Sequence, residues 1–297
     1  MAGGRALSTG AFDALLAEEG LPSAYQRTID EVWAPVAANV AALASQAPRP
    51  VVLGICGAQG SGKSTAAKVL VRLLQAQGLA VGVLSLDDLY LSHAARAELG
   101  RTVHPLLATR GPPGTHDMAQ GQRVLQAVID REPVRFPRFD KASDDPEPQA
   151  EWPLVGPLDV LIFEGWCVGA RPQTADDLIQ PINALERDED PDGTWRRWCN
   201  DALAGYQGLF GAIDRLVLLQ APGFEVVRRW RGEQEAKLRE RLGPEATQRT
   251  MDGPALDRFI QHYERLTRLI LDQMPSYADF VVKLGEAREP LALTAKA

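Results

Sequence analysis

The chain has 297 residues, of which 45% are hydrophobic, and its formal net charge at pH 7 is -7. This length and composition suit one large α/β domain or two small ones with a buried core. The acidic charge argues against a general nucleic-acid-binding protein, because phosphate backbones are held by an excess of Lys and Arg.

The three cysteines form no C-x-x-C pair, which favours a reducing compartment over a disulfide scaffold. No segment is apolar over the roughly 18 residues that a membrane span requires, and the N-terminus lacks the apolar core of a signal peptide. We therefore expect a cytoplasmic protein that binds neither nucleic acid nor a membrane.

Residues 1–48 are expected to form a helical extension. Apolar residues recur in this region at near-helical spacing, namely Phe12, Leu15, Leu16, Leu21, Tyr25, Ile29, Val32, Trp33 and Val36. This spacing predicts helices that pack on a larger body. Pro48 and Pro50 end the region, so the main domain is predicted to span residues 49–297.

A buried strand and a glycine-rich loop come next. Val51 to Cys56 is a continuous apolar run, typical of a parallel strand that is buried on both faces. The following residues read G-A-Q-G-S-G-K-S-T, a P-loop, in which backbone N–H groups cradle phosphates at the start of a helix. We expect contacts to ATP from Gly57, Ala58, Gln59, Gly60, Ser61, Gly62, Lys63, Ser64 and Thr65. Lys63 should reach the β and γ phosphates, and Ser64 should bind Mg²⁺.

A helix is predicted from Ala66 to Gln77, and a second strand from Ala80 to Leu86 ends in Asp87 and Asp88. The carboxyl ends of the strands in a doubly wound sheet face the ligand crevice. A carboxylate there can accept the proton of an attacking hydroxyl. We predict Asp87 as this base and Asp88 as a helix cap or a supporting residue, with the reverse order as the alternative.

A third strand, Val160 to Phe163, ends in Glu164, which is the Walker B arrangement with Glu in place of the commoner Asp. Glu164 is expected to hold Mg²⁺ or to orient the attacking group, and a strand-end carboxylate without function is the alternative. Two later apolar runs, Leu216 to Leu219 and Phe280 to Leu284, are also predicted strands. Together these elements predict a parallel sheet of about five strands flanked by helices.

Two stretches rich in Pro, Asp and Gly interrupt this pattern, Gly111 to Pro157 and Arg171 to Gly193. Loops of that length usually carry function, so we assign acceptor-binding insertions to about residues 104–157 and 171–210. The acidic segment from Asp188 to Gly193 is interpreted as a solvated turn.

Two basic segments lie in the first insertion: R-G-P-P-G-T-H-D from Arg110 and F-P-R-F-D-K from Phe136. Guanidinium and ammonium groups at such spacing suit an acceptor that bears a carboxylate or a phosphate. A solvated basic loop is the alternative. His104 and His116 have no partner at metal-ligand spacing, so a structural role or a contact to the acceptor is favoured over a metal site.

A basic helical stretch, Val226 to Arg239, lies where P-loop kinases keep a mobile lid, and we predict a lid over about residues 225–250. Arg228 and Arg231 are predicted to neutralise the charge that develops on the transferred phosphoryl group. The alternative is an exposed helix whose charges pair with one another.

These residues resemble the P-loop kinases related to uridine kinase, phosphoribulokinase and pantothenate kinase, and most closely the D-glycerate 3-kinases. The similarity runs from about Val51 to Leu284. Besides the P-loop and the two basic segments, it is carried by S-L-D-D-L-Y-L from Ser85, L-I-F-E-G-W from Leu161 and W-R-G-E-Q-E from Trp230. The resemblance implies a three-layer α/β P-loop kinase fold with a helical lid and an N-terminal helical extension.

The resemblance also implies that the γ-phosphoryl group of ATP, with Mg²⁺, passes to the 3-hydroxyl of D-glycerate, giving 3-phosphoglycerate, with Asp87 as the base. The residues predicted to contact the acceptor are Tyr90, Arg110, His116, Asp117, Arg138 and Lys141. One alternative is the same chemistry on uridine, pantothenate or a sugar phosphate. Another is a regulatory NTPase, against which the chain has neither an N-K-x-D nor an L-S-G-G-Q motif.

Overall fold

The computed structural model describes residues 12–242 and 251–296. Its α-helices are α1 (Asp13–Glu18), α2 (Tyr25–Thr28), α3 (Ala34–Ala44), α4 (Lys63–Gln75), α5 (His93–Thr102), α6 (Met118–Ile129), α7 (Ala184–Glu189), α8 (Thr194–Phe210), α9 (Glu225–Leu242) and α10 (Gly253–Gln273). Its strands are β1 (Val51–Gly57), β2 (Val81–Ser85), β3 (Val134–Arg135), β4 (Phe139–Asp140), β5 (Asp145–Pro146), β6 (Leu154–Val155), β7 (Val160–Gly165), β8 (Arg215–Gln220), β9 (Phe280–Leu284) and β10 (Pro290–Ala295). The start of the predicted extension, residues 1–11, and residues 243–250 of the predicted lid lie outside these ranges. No helix within them is long and apolar enough to cross a membrane.

The central sheet has the strand order β10-β9-β8-β1-β7-β2. β1, β2, β7, β8 and β9 run parallel to one another, which confirms the predicted sheet of about five parallel strands. β10 adds an antiparallel edge strand beside β9. Sequence analysis misses β10 because its side chains are exposed or half-buried and form no continuous apolar run.

Two hydrophobic cores lie on opposite faces of this sheet. Leu53 and Ile55 of β1 pack in one core with the N-terminal helices and α4, whereas Val52 and Cys56 pack in the other with α6, α8 and α10. β1 is buried along its whole length, as expected for a strand that helices cover on both faces. The three layers are therefore helix, sheet and helix, as predicted.

The N-terminal helices lie beside the P-loop helix. α2, a π-helical turn and α3 form one continuous helical stretch, and Val36 and Val40 of α3 are fully buried. The segment after α1 is tied to α4 through Glu19, whose carboxylate accepts a hydrogen bond from Thr65 Oγ1 at 3.0 Å and pairs with Lys68 at 2.5 Å. These helices thus complete one core layer and border the nucleotide-binding loop.

The stretch from Gly111 to Pro157 is not the uninterrupted loop that its composition predicts. α6 lies in its first half, and β3 pairs with β6 and β4 with β5 in two short antiparallel ribbons. Val124 and Val128 bury one face of α6 against the sheet. Val124, Leu125 and Val128 have helical spacing, but the Pro-, Asp- and Gly-rich composition of the whole stretch masks this short helix.

The interpretation of Asp188 to Gly193 as a solvated turn is wrong for Asp190. The side chain of Asp188 is 60% exposed, but that of Asp190 is 0% exposed. The Asp190 carboxylate accepts the backbone N–H of Trp195 at 2.7 Å and pairs with the guanidinium of Arg196 at 2.9 Å. Asp190 therefore satisfies unpaired N–H groups at the start of α8 and holds a buried arginine.

Candidate active site

The P-loop connects the end of β1 to the start of α4. Gly60 and Gly62 adopt φ values of 76° and 93°, a left-handed backbone region that favours glycine. A Cβ atom on Gly60 would also lie 2.8 Å from the Cβ of Trp230. Lys63 is the first residue of α4, and its Nζ donates to the carbonyl of Ala58 at 3.1 Å. The loop therefore presents backbone N–H groups, a helix N-terminus and an ammonium to one point, which suits a polyphosphate.

Polar side chains of the P-loop lack partners. The Oε1 and Nε2 atoms of Gln59 and the Oγ of Ser61 are buried, and no atom of the described residues forms a hydrogen bond with them. Buried polar groups normally have partners. This pattern fits a loop whose remaining hydrogen bonds are made by a bound ligand.

Ser64 and Glu164 form the part of the site that suits a divalent cation. β1 and β7 are neighbours, and the Ser64 hydroxyl donates to Glu164 Oε1 at 3.1 Å. In the part of the chain that the structure describes, no group of three or more His, Cys, Asp or Glu could hold a metal. A hydroxyl and one carboxylate fit Mg²⁺ in a phosphoryl-transfer site, where water and phosphate oxygens supply the other ligands.

Asp87 lies in a short 3-10 turn (Leu86–Leu89) that follows β2. This turn is at the C-terminal ends of the parallel strands, where Glu164 of the neighbouring β7 also lies. Its Oδ1 accepts the hydroxyl of Tyr90 at 2.8 Å, and its Oδ2 accepts the ammonium of Lys141 at 2.7 Å. Burial alone would raise the pKa of Asp87, but Lys141, Tyr90 and the charge of Lys63 outweigh it and lower this pKa to about 2. Asp87 is thus ionised and faces the P-loop lysine.

Asp88 points to a different partner. Its carboxylate accepts the backbone N–H of Phe139 at 3.2 Å and pairs with Arg138 at 3.2 Å. Of the two roles predicted for Asp88, these contacts are those of a supporting residue and not of a helix cap. The residue that caps the 3-10 turn is Ser85, whose Oγ accepts the N–H of Asp87 at 3.3 Å. Burial raises the pKa of Asp88 to about 6 despite the nearby Arg138. Asp88 anchors the β4–β5 ribbon beside Asp87.

Arg110 and the loop after it are fixed by aromatic side chains. Tyr263 donates its hydroxyl to the carbonyl of Arg110 at 2.9 Å, and Trp166 donates its Nε1 to the carbonyl of Gly111 at 3.1 Å. The Arg110 guanidinium pairs with Asp144, which also pairs with the buried Arg96 at 2.7 Å. The backbone of this loop is therefore held at two consecutive carbonyls, and Asp144 holds the Arg110 side chain.

His116 and Asp117 occupy the end of that loop. His116 is buried, its ring stacks on Tyr90 with 4.6 Å between centroids, and its Nδ1 lies 2.7 Å from the hydroxyl of Tyr206. Burial lowers the pKa of His116 to about 3, so the ring is neutral near pH 7. Asp117 caps α6 by accepting the N–H of Gln120 at 2.8 Å. The structure gives Asp117 a helix-capping contact and places His116 against Tyr90.

Arg228 and Arg231 are engaged in ion pairs on the helical surface. Arg228 pairs with Asp257 of α10, and Arg231 pairs with Glu235 of α9 at 2.5 Å. One of these pairs lies within α9 and the other joins α9 to α10, and the predicted role of both arginines at the phosphoryl group stays a prediction. The structure therefore brings Lys63, Ser64, Asp87, Glu164 and the two basic segments together, and it pairs Arg228 and Arg231 with Asp257 and Glu235.

Three further residues shape the site, although no role there was predicted for them: Trp230, Arg288 and Tyr206. Trp230 is fully buried against Gly60 and donates its Nε1 to the carbonyl of Glu286 at 2.7 Å. Arg288 donates its Nε to the carbonyl of Gly60 at 2.6 Å. Tyr206 accepts the N–H of Gly114 at 2.7 Å. Arg288 and Tyr206 bind residues that are more than 90 positions away in the sequence, and Trp230 lies at an ordinary position inside a helix. No local sequence pattern therefore indicates these contacts.

A cavity of about 480 Å³ opens beside the P-loop. It is bordered by Gly60 to Gly62, by Leu21 and Tyr25 of the N-terminal region, and by Leu284 and Arg288 around the turn between β9 and β10. Its size lies in the usual range for small-molecule sites. Its lining mixes apolar and aromatic side chains with polar and charged ones, among them Glu19, Glu233 and Arg288, which suits a flat ring with polar edges.

Comparisons with known proteins agree with this geometry. The family described as "Methylmalonyl Co-A mutase-associated GTPase MeaB" matches residues 32–93, a minor part of the chain that contains the P-loop and β2. The "Uncharacterized kinase mug58" of Schizosaccharomyces pombe is 37% identical over 226 residues, which cover 72% of this chain and 79% of that protein.

Two further relatives carry a more specific name. The "D-glycerate 3-kinase, chloroplastic" of Arabidopsis thaliana is 28% identical over 82% of this chain, and the match spans 54% of that longer protein. The solved structure of a D-glycerate 3-kinase from Cryptococcus neoformans superposes with a TM-score of 0.73 at 25% identity. It covers 93% of this chain and 100% of the solved chain.

Proposed function

Because the chain belongs to the family of glycerate-kinase-like P-loop kinases, we propose that it phosphorylates D-glycerate at the 3-hydroxyl to give 3-phosphoglycerate. Members of this family are ATP-dependent phosphotransferases that act on an alcohol group of a small molecule. The proposal concerns the acceptor and the residues that bind it.

One observation carries the choice of an anionic acceptor. The two basic segments bring three cations near Asp87: Lys141 pairs with Asp87 itself, Arg138 with the adjacent Asp88, and Arg110 with Asp144. A hydroxy acid has the two groups that this arrangement requires, a hydroxyl for Asp87 and a carboxylate for the cations. The names of the Arabidopsis and Cryptococcus relatives point to the same acceptor.

The residues divide the reaction between them. The P-loop and Lys63 hold the phosphates of ATP, and we place its base and ribose in the cavity beside Tyr25 and Arg288. Mg²⁺, when bound through Ser64 and Glu164, offsets negative charge on the phosphate oxygens. Catalysis then consists mainly of positioning and charge stabilisation.

Asp87 accepts the proton of the acceptor hydroxyl. The acceptor oxygen attacks the γ-phosphorus, an O–P bond forms, and the bond between that phosphorus and the β,γ-bridging oxygen breaks, so that ADP leaves. The hydroxyl proton passes to Asp87. Tyr90 holds the other carboxylate oxygen at 2.8 Å and thereby fixes the orientation of the base.

The test is an acceptor panel. ADP release is measured with D-glycerate, uridine, pantothenate and a sugar phosphate, each against an acceptor-free background, and the product is identified by ³¹P NMR. We expect a rate well above background with D-glycerate and a phosphomonoester product. No rate above background with D-glycerate refutes the proposal. Hydrolysis that responds only to a protein partner, with no phosphorylated small molecule, would indicate a regulatory NTPase.

A further inference from the structure

Both carboxylate oxygens of Asp87 are engaged in the structure. Oδ1 accepts the Tyr90 hydroxyl, and Oδ2 accepts the Lys141 ammonium at 2.7 Å. A carboxylate paired with an ammonium is a weak base, because taking up a proton would forfeit that attraction. The base must therefore lose this partner before it can accept a proton from a hydroxyl.

Lys141 is the cation best suited to leave its partner. Its side chain is 59% exposed, whereas those of Arg110 and Arg138 are 29% and 35% exposed and pair with Asp144 and Asp88. Arg138 is further held by its bond to the carbonyl of Pro137 at 2.9 Å. A lysine ammonium sits on a flexible four-carbon stem and can change partners without a backbone movement.

The backbone that carries Lys141 is fixed. Lys141 follows β4 in the turn of the β4–β5 ribbon, and Asp88 holds the N–H of Phe139 on one side of that turn. On the other side, Arg96 donates to the carbonyl of Asp144 at 2.9 Å, and Asp145 accepts the N–H of His93 at 2.8 Å. Only the side chain of Lys141 has to move.

We propose that Lys141 couples the charge of the acceptor to the activation of the base. Without an acceptor, its ammonium occupies Asp87 Oδ2. The carboxylate of an arriving acceptor draws that ammonium onto itself, and Asp87 Oδ2 becomes free to take the proton of the hydroxyl as the oxygen attacks the γ-phosphorus and ADP leaves. The proposal rests on Asp87 being the base in the proposed function. It implies that uncharged acceptors are used poorly and that water is activated poorly.

The test uses Lys141→Met, with Lys141→Arg as the variant that keeps the charge. Lys296→Met serves as the matched control, because Lys296 lies beyond β10 next to the start of β9, at the opposite edge of the sheet. Two quantities are measured for each variant: ATP hydrolysis without acceptor, and the ratio of kcat/KM for D-glycerate to that for glyceramide, its uncharged amide. Circular dichroism establishes that each variant is folded.

We expect wild type to favour D-glycerate over glyceramide by about a hundredfold, the range of a well-placed charge pair. Lys141→Met should reduce kcat/KM for D-glycerate by a similar factor. It should raise that for glyceramide by about tenfold, because Asp87 is then unpaired and can accept the proton of an uncharged acceptor. Acceptor-free hydrolysis should rise by about tenfold, because an unpaired Asp87 can act on water. Lys141→Arg should keep most of the preference, and Lys296→Met should match wild type.

An equal loss for both acceptors, or no rise in acceptor-free hydrolysis in Lys141→Met, overturns the coupling. This failure is distinguishable from a failure of the proposed function. If wild type does not phosphorylate D-glycerate, the acceptor panel reports it directly. The hydrolysis measurement needs no acceptor, so it still tests whether Asp87 becomes more active when the Lys141 ammonium is removed.

Discussion

Asp87→Asn is the substitution that tests the assignment of the base. The amide has the shape of the carboxylate, so its oxygen can still accept the Tyr90 hydroxyl, which lies 2.8 Å from Oδ1 in the wild type. The contact of Oδ2 with the Lys141 ammonium, 2.7 Å in the wild type, is lost, and the side chain can no longer take up a proton near neutral pH. The change therefore removes proton transfer and leaves the P-loop intact.

The expected magnitudes separate catalysis from stability. Loss of a general base typically lowers the rate by about 10²–10⁴-fold, which is roughly 2.7–5.4 kcal/mol on the barrier. The pair between Asp87 and Lys141 has side chains that are 35% and 59% exposed. Such a partly solvated pair contributes about 0–1 kcal/mol, so unfolding should shift by only a few degrees.

The assay combines a coupled ADP-release measurement with isothermal titration of ATP. We expect kcat of Asp87→Asn to fall by at least about a hundredfold while the Kd for ATP stays within about threefold of wild type. Asp88→Asn is the matched control. It should mainly raise KM for the acceptor, because Asp88 holds the β4–β5 ribbon through Phe139 and Arg138. Retention of kcat in Asp87→Asn, or a loss of ATP affinity as large as its loss of kcat, would refute the reasoning.

Three further predictions concern other parts of the chain. Lys63→Ala should abolish transfer and weaken ATP binding by more than about tenfold in titration calorimetry, because its ammonium is expected on the β and γ phosphates; unchanged ATP affinity would contradict this role. Asp190→Ala should destabilise the fold by about 3 kcal/mol in urea unfolding, because it leaves the buried Arg196 without its carboxylate, and a loss no larger than that of Asp188→Ala would contradict the structure. Burial lowers the pKa of His262 to about 4, so stability should be lost as pH falls from about 6.5 towards 4, where the unfolded chain is protonated first. His262→Gln should flatten that part of the curve of unfolding free energy against pH, and an unchanged slope would argue against the shift.

The sequence alone determined the elements whose signals are local. β1 and β7 are buried along their whole length and are almost entirely apolar for that reason, and β2, β8 and β9 are also short, mostly apolar runs. The P-loop is recognisable because a tight phosphate cradle tolerates few residue types. Asp87 and Glu164 follow two of these strands, so their place at the carboxyl edge of the sheet follows from the strand predictions.

Tertiary structure decided which charges are paired and which are buried. Asp188 and Asp190 look alike in the sequence, yet only Asp190 lies under α8 with Arg196, because burial depends on what packs from elsewhere in the chain. Arg228 pairs with Asp257, which lies 29 residues away. The pair between Lys141 and Asp87 joins residues 54 apart, and we propose that it controls whether Asp87 can act as a base. The sequence shows which residues are charged, and the tertiary structure determines which charged residues form ion pairs with one another.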